Sequence, residues 1–135
     1  MTTLLDTGPV VAAIDRSDAH HVRCAELLDS LSGKRLIPIT VVVEVCWLLE
    51  ERPDIEAAFL DSIAAGQFEL VTITRTDLTR MAELVRTYDD FPLGGVDASV
   101  FAVAERLKVT RVATLDRRHS PAVRPSHCSA LTLLP

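Results

Sequence analysis

Apolar residues fall along this chain in two kinds of block. Short runs at residues 3–6, 36–39, 68–73, 111–114 and 131–134 have the length of strands. Between them, apolar residues recur at helical spacing. Pro9 suits the first turn of a short helix over residues 10–14. Residues 15–18 form a turn, and Asp18 can cap a helix that puts Val22, Ala25, Leu28 and Leu31 on one face and Glu26 and Asp29 outward, closed by Gly33. Thr40 can cap a helix reaching about Glu51, stopped ahead of Pro53 because the residue before a proline avoids helical geometry. Asp54 can cap the next, with Ile55, Ala58, Phe59 and Ile63 inward and Gly66 at its end. Residues 74–88 are amphipathic, 91–95 (Phe-Pro-Leu-Gly-Gly) read as a loop, and 96–108 as a helix. Helices separating short apolar strands predict an α/β fold: a central, mainly parallel sheet covered on both faces, a three-layer α/β/α sandwich.

Composition narrows the class. At 135 residues, 48% hydrophobic and 24% charged, the chain has the size and core content of one folded domain, residues 1–135, with no repeat or linker. The start Met-Thr-Thr-Leu-Leu-Asp has no basic segment, and the longest apolar run, 41–49, contains Glu44 and is too short to cross a bilayer. A cytoplasmic protein without membrane attachment is expected. Cys24, Cys46 and Cys128 are far apart and form no C-x-x-C pair, so neither a zinc site nor a disulfide framework is implied. They read as buried free thiols.

A net charge of −5 argues at first against nucleic acid, whose binders usually carry surplus positive charge. The distribution softens that objection. Residues 1–67 hold five bases against eleven acids, whereas from Ala104 onward six bases (Arg106, Lys108, Arg111, Arg117, Arg118, Arg124) face two acids.

Four carboxylates stand out by their surroundings. Asp6 ends the first strand, Asp116 lies just past a late one, and Asp97 follows a glycine-containing loop near a helix start; in a parallel α/β sheet such positions gather at the carboxyl ends of the strands. Glu44 is the one charge in Val41-Val42-Val43-Glu44-Val45-Cys46-Trp47-Leu48-Leu49. Each has a plainer reading: Asp6 and Asp97 as helix caps, Glu44 as an ion-paired acid or part of a narrow solvent stripe with Leu48 and Glu51, Asp116 as a loop acid paired with an arginine. Taken together they read differently. Carboxylates drawn together repel, and their proton affinity rises unless a cation neutralises them. Magnesium or manganese, which prefer hard oxygen ligands, would do so, and the chemistry suited to such a set is metal-assisted phosphodiester hydrolysis.

Leu4-Leu5-Asp6-Thr7-Gly8-Pro9, Glu44 in its apolar helix, Val96-Asp97-Ala98-Ser99 through Ala104-Glu105-Arg106-Leu107, and Ala113-Thr114-Leu115-Asp116-Arg117-Arg118-His119 resemble, in order and spacing, a PIN-domain ribonuclease. The nearest likeness is to the VapC-type toxins of bacterial toxin–antitoxin pairs, and it extends to the terminal Leu133-Leu134-Pro135. The resemblance implies an α/β/α sandwich, magnesium- or manganese-dependent endoribonuclease activity that leaves a 5′ phosphate, homodimers, and inhibition by a cognate VapB-type antitoxin. Carried over by position, it implies Asp6 and Asp97 as direct metal ligands and Glu44 and Asp116 as completing the acidic site, through water or a second ion. Thr7 and Thr114 match hydroxyl positions beside the acids, where they can orient carboxylates or waters. Structured RNA, tRNA or rRNA, is the implied substrate.

Many members of this family carry an aromatic directly after the Asp-Arg-Arg-His segment; here Ser120-Pro121 follows instead, which bears on substrate contacts rather than on the acids. Arg117, Arg118 and His119 read either as phosphate contacts or as a solvated charged loop. His20-His21 read as surface residues, and Trp47 as a core or dimer contact. With six aromatics in all, no base-stacking platform is evident. Two other functions stay open: a non-catalytic PIN-like binding module, and a haloacid-dehalogenase-like phosphatase, which would want a second acid where Gly8 stands.

Overall fold

The computed structural model describes residues 1–135. Twelve elements follow one another: β1 (Thr3–Leu5), α1 (Thr7–Ile14), α2 (His21–Ser30), β2 (Arg35–Pro38), α3 (Ile39–Leu48), α4 (Pro53–Ala64), β3 (Glu69–Val71), α5 (Arg75–Thr87), α6 (Gly95–Leu107), β4 (Arg111–Ala113), α7 (His119–Ala122) and β5 (Thr132–Leu134). All five strands pair in parallel in the order β3-β2-β1-β4-β5.

The order locates the place where function is expected. From β1 the chain steps outward to β2 and then β3; from β3 it returns across the sheet to β4 and steps the other way to β5. Right-handed crossovers therefore put α1–α4 on one face and α5–α7 on the other. Connections leave β1 and β4 in opposite directions, which opens a crevice at their carboxyl ends. Asp6 follows β1, and Asp116 lies three residues past the end of β4.

The sheet is held by a core that includes Leu4, Leu5, Ile37, Val41, Val45, Val103 and Val112, all buried, in strands and helices from both halves of the sequence. Burial of both faces explains why β1 reads as continuous rather than alternating hydrophobicity. A smaller cluster (Leu84, Leu93, Ala98, Phe101, Val123) joins α5 to α6 and anchors the loop ahead of α6.

Several boundaries differ from those the pattern predicts, each for a local reason. Helix α1 begins at Thr7 because Asp6 caps it, its carboxylate accepting the Thr7 N–H at 2.8 Å. Asp18 shapes the turn before α2, accepting the His20 N–H at 2.8 Å, while His20 holds the cap position. Pro38, not Thr40, precedes α3, and Arg52, not Asp54, precedes α4, with Pro53 in the first turn where its missing N–H costs nothing. The third strand shrinks from 68–73 to Glu69–Val71, the residues that pair with Leu36, Ile37 and Pro38 of β2 beside it. Thr74 and Asp77 form a reciprocal capping box at the start of α5. Gly94 takes the cap position of α6, which moves Asp97 into its first turn, and α7 was not foreseen. Gly33 closes the turn after α2 at φ +81°, where a side chain would collide with the Met1 backbone. Trp47 is not core: it is 66% exposed. Cys24 is buried, Cys46 and Cys128 are half-buried, and all three are free. No helix is long and apolar enough to cross a membrane.

Candidate active site

The crevice between β1 and β4 brings the four carboxylates together, each delivered by a different element. Asp6 is set first. Its backbone N–H donates to the Ala113 carbonyl at 2.9 Å, extending the β1–β4 ladder by one residue. Its Oδ1 accepts the Thr7 N–H and its Oδ2 accepts the Thr114 hydroxyl, each at 2.8 Å. Capping and the acidic site are thus one feature, not rival readings of this residue. Asp97 comes from the first turn of α6, Glu44 from the middle of α3, and Asp116 from the loop after β4.

Two hydroxyls tie these elements. Thr114, fully buried, donates to Asp6 and accepts the Asp116 N–H at 3.0 Å, so one side chain sets the spacing between two of the acids. Thr40 bonds to the buried Ser99 at 2.6 Å; since the Ser99 hydroxyl donates to the Val96 carbonyl, Thr40 is the donor. That bond pins α3 to α6, the two helices that carry Glu44 and Asp97. Sequence reading took Thr40 for a cap because its partner lies 59 residues away. Thr7 contributes through its backbone; its hydroxyl is buried and has no partner.

The electrostatics distinguish the acids. Burial pushes the Asp6 carboxyl up to about 6, against the lowering effect of Thr114 and Thr7 and with added repulsion from Asp97 and Glu44. Burial also raises Asp97, helped by the negative charges of Asp116 and Glu44. Asp116 moves the other way. Although burial favours its neutral form, it accepts the N–H groups of His119 (2.9 Å) and Arg118 (2.8 Å) on Oδ1, faces His119 Nδ1 at 3.1 Å on Oδ2, and lies below its ordinary value. No arginine or lysine forms an ion pair with any of the four; the nearest basic side chain is the His119 ring, at 3.1 Å from Asp116.

Ligand atoms of Asp97, Asp116 and His119 lie within 4.8 Å of one another, close enough for one ion. An oxygen-rich set with repelling carboxylates and a partnerless hydroxyl next to Asp6 fits a hard divalent cation better than zinc, for which there is no Cys/His cluster. Gly8, where a phosphatase would place its second acid, lies inside α1 against Leu115.

The basic segment divides. Arg117 stays exposed and donates to the Pro135 carbonyl oxygen at 2.8 Å. Arg118 and His119 stay at the mouth, in contact with Phe91. Sequence reading missed Phe91, since nothing in a single chain announces a contact 28 positions away.

The fold and the sequence have known relatives. The PIN domain family matches residues 3–123. Ribonuclease VapC26 of Mycobacterium tuberculosis is 31% identical over 134 residues, covering 98% of this chain and 99% of that protein. Among solved structures, Mycobacterium tuberculosis VapC20, a sarcin–ricin loop cleaving toxin, superposes with a TM-score of 0.83 at 20% identity, covering 94% of this chain and 98% of its own. VapBC2 of Rickettsia felis, bound to a DNA fragment from its promoter, gives 0.72 at 18% identity over 98% and 97% of the two chains. With its fold, its family match and a relative aligned almost end to end, the chain belongs to the PIN domain family, among the VapC-type proteins.

Proposed function

We propose that this protein is a metal-dependent endoribonuclease toxin that hydrolyses phosphodiester bonds of structured RNA, tRNA or rRNA. The observation that carries the reading is the meeting of Asp6, Glu44, Asp97 and Asp116 in the β1–β4 crevice without an arginine or lysine partner. Natural sequences seldom bury repelling carboxylates for stability, so the arrangement is best understood as built for a cation. The names of the relatives, a ribonuclease and a toxin that cleaves the sarcin–ricin loop, support the same reading.

In this reading Asp6 and Asp97 hold magnesium or manganese, and Glu44 and Asp116 complete the set directly or through water. Such an ion, when bound, activates water and polarises a phosphoryl oxygen. The chain does the positioning. Thr114 and the Thr7 N–H fix both oxygens of Asp6, so its carboxylate cannot rotate away as substrate arrives. The His119 and Arg118 amides keep Asp116 ionised. Arg118, whose guanidinium makes no ion pair, is available to substrate at the mouth of the site.

Purified protein should cleave RNA when magnesium or manganese is present and not in chelator, and expression should arrest growth. Mapping new 5′ ends after brief induction, with Asp97→Asn as control, identifies the RNA. Full cleavage by a folded Asp97→Asn protein would sink the site assignment.

A VapB-type antitoxin and a homodimer complete the proposal, in the cytoplasm. Solved neighbours include a toxin–antitoxin complex from Klebsiella pneumoniae, which supports an antitoxin partner. On α3, Val43 and Trp47 are 62% and 66% exposed one turn apart, an apolar face consistent with self-association.

A further inference from the structure

One aromatic ring stands at the mouth of the acidic site without a part in the cleavage chemistry. Phe91 lies in the turn between α5 and α6, where its N–H donates to the Tyr88 carbonyl at 3.1 Å. Two residues on, Leu93 is buried among Leu84, Ala98, Phe101 and Val123. The ring is therefore presented from an anchored backbone, while remaining only half-buried itself.

Its neighbours are the residues next to Asp116. The Phe91 and His119 ring centroids are 4.6 Å apart with planes tilted by 35°, and the Arg118 guanidinium carbon lies 5.5 Å from the Phe91 centroid. Arg118 is exposed, and only its backbone N–H is committed, to Asp116. An exposed cation over an aromatic ring is a weak contact that a stacked nucleobase can replace, and aromatic rings and guanidinium planes are the surfaces on which splayed RNA bases settle. Through His119 the ring is one residue removed from Asp116 and Asp97.

We propose that Phe91 is a stacking platform for one unpaired nucleobase beside the scissile phosphate, with Arg118 swinging off the ring to cover the base. The proposal rests on the ribonuclease reading and adds to it one substrate-positioning residue, Phe91, beside the acids. Stacking tolerates any base, so this contact selects for unpaired geometry and leaves base identity to other contacts.

The test uses the full chain and a short single-stranded RNA with 2-aminopurine at its adenine positions, calcium replacing magnesium. Stacking on Phe91 quenches the probe. Phe91→Leu keeps apolar bulk against His119 without an aromatic face; it should lose most of the quench and weaken binding about 10-fold. Phe91→Tyr and Phe91→Trp should restore both. In magnesium, Phe91→Leu should raise KM with kcat largely kept. Arg118→Ala, which leaves the Phe91–His119 contact in place, should weaken binding yet retain the quench, and thermal melts separate any folding defect. Equal quench in wild type and Phe91→Leu, or none in wild type, overturns the platform. Phe91-dependent quench with no cleavage of total cellular RNA in magnesium or manganese overturns the ribonuclease reading instead, so the two failures carry different signatures.

Discussion

The two ends of α6 carry acids with opposite fates, one half-buried and one buried. At the N-terminal end, Asp97 is raised above its ordinary value; at the C-terminal end, Glu105 is lowered. The helix macrodipole alone would give the reverse, since an N-terminus favours a carboxylate and a C-terminus disfavours it. Neighbours overrule it. Glu105, 7% exposed, takes a two-pronged grip from Arg80 at 2.7 and 3.0 Å and accepts the Ser126 N–H at 2.8 Å. Asp77, 2% exposed, is held by Arg106 of the same helix and by its capping box, and is lowered as well. Asp97 faces Asp116 and Glu44 instead. Burial alone therefore does not set the proposed site apart; the lack of an arginine or lysine beside its acids does.

The largest expected effect comes from neutralising the unpaired end. Asp97→Asn should lower RNA cleavage by about 10²–10³-fold, as loss of a charge-positioning group does. It should leave the melting temperature in chelator unchanged or higher, because a repelled charge has been removed. At the paired end the outcome inverts. Arg80→Ala leaves Glu105 buried without its guanidinium and should cost about 2–3 kcal/mol in urea unfolding, less than the about 3–5 kcal/mol of a fully buried pair because Arg80 is itself partly exposed, with divalent-ion binding unchanged. A protein as stable as wild type after Arg80→Ala would break the comparison.

Acidity sharpens it further. Asp6 sits at about 6 in the folded chain against an ordinary 3.8, so the folded state holds that proton more tightly. Its contribution to stability is greatest below about pH 4, falls as pH rises to 6, and is flat above, a change of about 1–3 kcal/mol in metal-free buffer. Asp77 and Glu105, lowered, contribute in the opposite sense: their stabilisation is present above their ordinary range and is lost as pH falls through it. Melts across pH 4–7 in chelator should show the first fall disappear in Asp6→Asn, and magnesium at pH 7 should raise the wild-type melting temperature. Smaller still, Thr114→Val should weaken divalent-ion affinity about 10-fold through loss of the Asp6 contact. Arg117→Ala, which removes the hydrogen bond to the Pro135 carbonyl, should leave cleavage unchanged.

Much of this was legible in the chain. Strand-length apolar runs located all five strands, and the helices between them required parallel pairing. The four acids stood out because each interrupts or follows apolar sequence. What the sequence could not convey was partnership across distance. Thr40 reads as a cap until Ser99 is found against it, Arg117 and Arg118 look equivalent until one turns to Pro135, and Phe91 is a loop residue until His119 stacks on it. Periodicity reports which face of an element is buried; it does not say which side chain waits on the other side.

The crossing of the sheet between β3 and β4 also sets an order in time. During synthesis Asp6 and Glu44 emerge first, on β1 and α3, while Asp97 and the Thr114–Asp116 segment come late and β4 is the strand that docks beside β1. An unfinished chain thus holds half of the acids and lacks the hydroxyl that fixes Asp6. The four acids can meet only when most of the polypeptide has left the ribosome, so any chemistry that needs all four waits for a nearly finished chain.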